Sequence, residues 1–260
     1  MEPFDNRAPA RNTVQKRGLP PLTLNASLRW GVVSRLLPET VGDVLEIGCG
    51  QGSVTWRIAQ RARTMTAIEP DAQSFERAAS RLSGCARVMN IADDQLPYDE
   101  QFDVVCSFEV LEHIQDDRAT LKRWTQRVRK GGQIVISVPA HAQRLGPSDE
   151  LVGHFRRYDK GDLSAQLKAA GFTDIRETLY GFPVGYVLEA IRNVMARQML
   201  DKGAREREFS DRTASSGRFF QPDGPIVSVA MGMIGSALAG LQRLFPDKGP
   251  GLVITARKPE

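Results

Sequence analysis

Val44-Leu45-Glu46-Ile47-Gly48-Cys49-Gly50-Gln51-Gly52 passes from a short apolar run through an acid into three glycines that alternate at 48, 50 and 52. The apolar part has strand character and a helix begins near Ser53, so the glycines form the tight turn between them. Glycine tolerates positive φ and leaves no Cβ between the main chain and a ligand. The helix N-terminus that follows offers unpaired N–H groups to a negative or polar group. The turn therefore predicts a bound cofactor. A dinucleotide fingerprint, Gly-x-Gly-x-x-Gly, requires glycine where Ser53 stands, and Gly52 falls one residue early.

Three further segments extend the pattern. Thr64 to Asp71 is a second apolar run ending in an acid, and Glu69 lies 21 positions beyond Gly48. In a β-α-β unit that distance brings the end of the second strand beside the glycine turn, where a carboxylate can accept hydrogen bonds from two ribose hydroxyls. Asp93 to His113 contains Leu96-Pro97-Tyr98, Phe102-Asp103-Val104-Val105 and Val110-Leu111-Glu112-His113. Then Gly131-Gly132 stops a helix expected over 117–129, and a buried-type strand runs to Pro139.

Glu-x-Gly-x-Gly-x-Gly, Leu-Pro-aromatic, Phe-Asp-x-Val and Val-Leu-Glu-His together resemble the motifs of class I S-adenosylmethionine-dependent methyltransferases. Gly153-His154-Phe155-Arg156-Arg157-Tyr158 resembles a motif of one of their subgroups. The resemblance covers about residues 40–180 and the final strand. It implies that Gly48, Cys49, Gly50 and Gly52 accommodate the methionine part of S-adenosyl-L-methionine, with Glu46 at its ammonium group and Glu69 at the ribose. It also implies an acid upstream of Leu96 for the adenine amino group. The usual position holds Ala92, which leaves Asp93 or Asp94, and Asp93 is preferred. Glu109 joins the cofactor-binding set.

The implied fold is α/β: a Rossmann-like, doubly wound seven-stranded sheet with an antiparallel final strand. Its segments are 23–182 and 248–260, with 183–247 as a helical insertion and 1–22 as a flexible basic leader. Expected strands are 43–47, 64–69, 87–91, 102–107, 133–138, 173–180 and 251–257. Helices are expected over 24–37, 53–62, 71–82, 117–129 and 160–170, the last capped by Asp159 and ended by Gly171. Two more, 184–201 and 225–244, fill the insertion. The second carries sixteen uncharged residues from Ile226 to Leu241, fewer than the roughly 20 of a spanning helix. Gly232, Ser236 and Gly240 give it one small face for close helix packing. The insertion is read as a cap over an acceptor pocket, with 225–244 packed inside or touching a membrane surface.

Methyl transfer mainly requires alignment and desolvation of acceptor and cofactor, and an oxygen acceptor adds the need for a base. His154, in the subgroup motif, and His141, at the sheet's carboxyl edge, are the base candidates. His113 reads as a structural hydrogen bond to a neighbouring loop. Arg156 and Arg157 suit either an acceptor carboxylate or phosphate, or pairing with acids such as Asp149.

At 260 residues and 41% hydrophobic, the chain supports one α/β domain with an elaboration. Cys49, Cys85 and Cys106 form neither a metal cluster nor a disulfide framework, which fits a reducing cytoplasm, and no metal is expected. The first 35 residues hold six basic side chains against two acids, an excess equal to the whole chain's +4. That arm lacks the aromatic-basic interleaving of a nucleic-acid binder and reads as a solubilising leader. No apolar signal segment is visible in the first 25 residues. A methyltransferase acting at oxygen on a small-molecule or lipid- or glycan-linked acceptor is the expected function. A nicotinamide oxidoreductase and a catalytically silent cofactor-binding protein are the alternatives.

Overall fold

The computed structural model describes residues 20–97, 99–201, 234–235 and 237–260. The apolar runs of the first half become parallel strands: β1 (Val41–Ile47), β2 (Ala62–Ile68), β3 (Arg87–Met89), β4 (Phe102–Phe108) and β5 (Val128–Pro139). Helix α1 (Leu24–Leu36) precedes them, and α2 (Ser53–Ala59), α3 (Ala72–Leu82) and α4 (Asp117–Gln126) lie between them. After β5 come α5 (Pro147–Val152), α6 (Asp162–Ala169), β6 (Thr173–Tyr180), α7 (Val184–Asp201) and β7 (Gly251–Arg257). The strand order is β3-β2-β1-β4-β5-β7-β6, with β7 antiparallel to both neighbours. This is the doubly wound, Rossmann-like seven-stranded sheet that the motifs imply.

Successive strand residues point to opposite faces, so a central strand buried on both sides needs apolar side chains throughout. Leu45, Val105, Ile134 and Ile136 meet Trp124, Leu163 and Leu167 on one face. Val44, Val104 and Val135 meet Leu28, Val32 and Val33 of α1 on the other. β1 pairs with β2 on one side and β4 on the other, so chain direction around the sheet reverses between β1 and β4. Ligands of open α/β sheets bind at the carboxyl ends of strands at such a reversal.

Several expectations are corrected. Helix α4 stops at Gln126, and Gly131-Gly132 lie inside β5 rather than ending a helix. The buried Arg127 guanidinium bonds the carbonyls of Leu96 and Pro97, and its own carbonyl accepts from Phe102 N at 2.8 Å, so the chain enters the sheet at Val128. Gly131, at φ 71°, then sits where the β4/β5 register shifts, a bulge that glycine allows. Asp159 does not cap α6: that helix starts from Gly161 at φ 98°, and Asp159 Oδ1 accepts instead from Ala142 N at 3.1 Å. Gly171, at φ 85°, does end α6.

The leader expected to reach residue 22 is already part of the fold at Pro20, whose carbonyl accepts from Arg57 at 2.7 Å, and Leu22 is buried. Residues 1–19 lie outside the described residues, as does most of the expected helix 225–244. Of the expected small face, Gly232 and Ser236 lie outside the described residues, and at the described end the close approach to α1 is made by Gly235 and Ala239 rather than Gly240. A Cβ at Gly235 would stand 2.5 Å from Ser27 Oγ and one at Gly31 would stand 3.0 Å from Ala239 Cβ, whereas one at Gly240 meets nothing within 4 Å. Among the described residues, no helix is long and apolar enough to cross a membrane.

Candidate active site

A cavity of about 1020 Å³ opens at the carboxyl ends of β1, β2 and β4. The glycine turn forms one wall. Gly48, Gly50 and Gly52 all adopt left-handed backbone, at φ 73°, 53° and 76°. Their surroundings separate them. A Cβ at Gly48 would overlap Val110, and one at Gly52 would lie 2.8 Å from Leu82 Cδ1, whereas one at Gly50 meets nothing within 4 Å. Packing requires the outer two glycines, and the middle one faces open cavity.

Two acids flank the turn. Glu46, 2% exposed near the end of β1, has one oxygen, Oε2, without a hydrogen-bond partner among the described residues. Burial pushes its carboxyl up to about 7, against the opposing pull of Thr55 and Arg29. Glu69, just past β2, accepts from Gly50 N at 2.8 Å and from Asp71 N at 3.0 Å, which ties the second strand to the turn. Burial raises its carboxyl too, and those two N–H groups offset part of the rise. Cys49 is buried beside them.

Asp93 lines the cavity and Asp94 is exposed, which favours Asp93 of the two acids weighed from sequence. Its Oδ2 is already held by Arg123 Nε at 2.9 Å and Trp124 Nε1 at 3.1 Å, so its other oxygen is the one left for an adenine amino group. Glu109, at φ 59°, closes the wall beyond β4. Its Oε1 accepts from Ser137 Oγ at 2.9 Å and Tyr180 OH at 3.3 Å, with Arg29 Nη1 at 3.6 Å.

The opposite wall comes from α5, the loop after it and α7. His154 Nδ1 lies 2.7 Å from Asp149 Oδ1. Arg157 grips both Asp149 oxygens and reaches Glu189 Oε2 at 3.0 Å, all three side chains being buried. Burial opposes ionisation of Asp149, yet the bonds from His154 and Arg157 hold its carboxyl down to about 2. Asp149 therefore stays charged and fixes the His154 ring. His113 Nδ1 meets Gly153 O at 3.2 Å, the structural bond expected of it, and its ring stands edge-on to His154 at 4.5 Å. Burial, then the neighbouring His154, push His113 down to about 3, so its ring is neutral at neutral pH.

His141 is not brought into this cavity. Its Nε2 lies 3.1 Å from Gly249 O and 3.3 Å from Tyr186 OH, and the residue is absent from the cavity wall. Its position at the sheet edge was legible, but its left-handed backbone, φ 67°, was not. Arg156 is likewise spent, on Asp117 at 2.6 Å and Gln115 O at 2.7 Å. Sequence reasoning missed Arg29, Glu189 and Arg192, which line the cavity from α1 and α7. Their helical spacing could have marked Glu189 and Arg192, three residues apart on one face of α7.

A family model described as a methyltransferase domain matches residues 27–177. A probable S-adenosylmethionine-dependent methyltransferase of Mycobacterium tuberculosis, Rv3030, is 32% identical over 148 residues, 55% of this chain and 54% of that protein. Nodulation protein S of Azorhizobium caulinodans is 29% identical over 40% of this chain and 52% of its own length. The chain thus spans about half the length of the curated relatives it matches. Among solved structures, phosphoethanolamine N-methyltransferase 2 of Haemonchus contortus, in complex with S-adenosyl-L-methionine, aligns with TM-score 0.58 at 17% identity, over 94% of this chain and 55% of that one. YcgJ of Bacillus subtilis aligns with TM-score 0.57 at 13% identity, over 91% and 99%.

The residues present fit that cofactor. Glu46 offers an unpartnered buried oxygen to an ammonium group, Gly50 leaves the room a Cβ would fill, and Glu69 stands against the turn. By its domain match, its sheet order and this cofactor cradle, the chain belongs to the class I S-adenosylmethionine-dependent methyltransferase family.

Proposed function

We propose that the chain transfers a methyl group from S-adenosyl-L-methionine to the oxygen of a small-molecule acceptor. One observation carries this reading: a single cavity joins the Glu46, Gly50 and Glu69 wall to the Asp149 and His154 wall. When bound, the cofactor supplies an electrophilic methyl carbon on a positively charged sulfur. Glu46 holds the ammonium, Glu69 the ribose hydroxyls, Asp93 the adenine amino group, and Glu109 with Arg29 closes the reacting end. Because Asp149 keeps its charge, it fixes His154 in one orientation toward the acceptor oxygen. Gly185, Glu189 and Arg192 of α7 also line the cavity, which supports residues 183–247 as the acceptor cap.

A nitrogen acceptor is the second reading. It is favoured by likeness to phosphoethanolamine N-methyltransferase 2 and to N-methyltransferase NodS of Bradyrhizobium japonicum. A neutral amine needs no base, so Asp149→Asn would spare its methylation and impair methylation at oxygen. The deciding experiment incubates the protein with metabolite and lipid extracts and methyl-labelled cofactor, then reads labelled products by mass spectrometry. A labelled ether or ester supports the proposal, and a labelled amine supports the second reading. Cofactor binding without any labelled product would mark the chain as catalytically silent.

A further inference from the structure

Three side chains at the acceptor end remain unexplained by cofactor binding. Glu112 lies on the short turn Leu111–His113 after β4 and is 0% exposed, and neither of its carboxylate oxygens has a hydrogen-bond partner among the described residues. A buried carboxylate with no partner is costly, and folded proteins keep one where something else supplies the missing contacts. The rings of His113 and His154 stand close to it. One ligating atom from each of the three residues lies within 4.8 Å of the others, and His154 Nε2 is 3.8 Å from Glu112 Oε1.

Both rings are already oriented. His113 Nδ1 is bonded to the Gly153 carbonyl and His154 Nδ1 to the Asp149 carboxylate. An acceptor at Nδ1 requires the proton there, which leaves Nε2 of each ring with its lone pair free. A carbonyl on one ligand histidine and a carboxylate on the other is the outer arrangement that fixes tautomer and raises basicity in metal sites.

We propose that Glu112, His113 and His154 hold one divalent first-row transition-metal ion, with its remaining positions open to the cavity. Two imidazoles and one carboxylate suit Zn²⁺, Mn²⁺, Fe²⁺ or Co²⁺ rather than the all-oxygen shells of Ca²⁺ and Mg²⁺. Bonds of about 2.1 Å in tetrahedral array set ligand atoms about 3.4 Å apart, so the trio must close by at most about 1.4 Å. The Glu112 side chain, which no hydrogen bond among the described residues restrains, is free to share in that movement. Glu109 and Asp149 are negative neighbours of Glu112 and Arg29 is a positive one. His113 and His154 line the cavity, so the open positions face the acceptor space.

The ion site itself does not depend on the methyl-transfer reading. That reading supplies only the further ligand, an acceptor oxygen, which the ion would orient and acidify in place of a free imidazole base.

The test uses the full chain, stripped with a chelator and dialysed. Calorimetric titration with Zn²⁺, Mn²⁺ and Co²⁺ should show one ion per chain, and Co²⁺ should give visible bands of nitrogen and oxygen coordination. Glu112→Gln and His154→Gln should each weaken that binding by about 100-fold or more, while S-adenosylhomocysteine affinity stays within about twofold. Retained S-adenosylhomocysteine binding certifies that a variant has kept its fold, and if one variant loses it the other decides. Absence of stoichiometric uptake by the parent protein, or uptake unchanged in a folded variant, overturns the proposal. Failure of the methyl-transfer reading looks different: the ion binds and no acceptor is labelled.

Discussion

Gly50→Ala should separate cofactor recognition from folding, because Gly50 is the one glycine of the turn whose missing Cβ faces open space. At φ 53° an alanine incurs about 1–2 kcal/mol of left-handed backbone strain, partly offset by about 0.4–1 kcal/mol from its stiffer unfolded chain. The net loss of roughly 0.5–1.5 kcal/mol lowers Tm by roughly 1–6 °C for a domain of this size. The added methyl occupies space that the cofactor must fill, an overpacking cost of about 1–3 kcal/mol, or about 5- to 150-fold in affinity. Gly52→Ala should behave in reverse. A Cβ there would lie 2.8 Å from Leu82 Cδ1, a fully buried side chain of α3, so overpacking adds to strain and, after the same unfolded-chain offset, stability falls by about 1–4.5 kcal/mol. Thermal unfolding and calorimetry with S-adenosylhomocysteine, run on both variants, read the two quantities independently. If folded Gly50→Ala binds as tightly as the parent, the cofactor does not lie against this turn.

Glu69→Ala should weaken S-adenosylhomocysteine binding by about ten- to a hundredfold, since hydrogen bonds to a charged group contribute about 1.5–3 kcal/mol; an unchanged calorimetric Kd would contradict the ribose assignment. Burial lifts Glu46 from its ordinary 4.5 to about 7, so the ligand-free fold binds its proton more tightly than the unfolded chain does. Its stabilising contribution is complete below about pH 4.5 and is lost as pH rises through about 7, on the order of 3 kcal/mol. Urea midpoints between pH 4.5 and 7.5 should therefore fall more steeply in the parent than in Glu46→Gln, and parallel curves would refute the shift. Arg157→Met removes the buried cation shared by Asp149 and Glu189, leaving Asp149 to His154 and Glu189 to Arg144, and should destabilise the fold by about 3–5 kcal/mol in urea denaturation, a loss below 1 kcal/mol being incompatible with the network.

The cofactor half of the molecule was legible because its signals are local. Each apolar run is followed at once by the acid or glycine it positions, and the distance from Gly48 to Glu69 is set by one β-α-β unit. The acceptor half was not. Asp149 stands on a helix of six residues, too short to show a period, and its partner Arg157 also binds Glu189 on α7, whose approach only the tertiary fold decides. Gly131-Gly132 was misread because a glycine pair after a helical run is locally a stop signal. Pairing of Val128 with Phe102 and of Gly131 N with Lys258 O decided otherwise. Glu112 looked like part of a motif, and its lack of hydrogen-bond partners among the described residues appears only when the surrounding carbonyls and rings are in place.

The insertion of β7 between β5 and β6 bears on how the chain assembles during synthesis. Strands β3, β2, β1, β4 and β5 can pair as soon as residue 139 has emerged, so the cofactor cradle can form while the rest is still being made. Among the described residues β6 pairs only with β7, and residues 251–257 must arrive before either edge is joined. Until then β5 exposes an unpaired edge of buried-type residues, Ile134 to Val138, the kind of edge that recruits foreign strands. A nascent chain arrested between residues 182 and 250 should accordingly bind S-adenosylhomocysteine and chaperones together, and release the chaperones once β7 emerges.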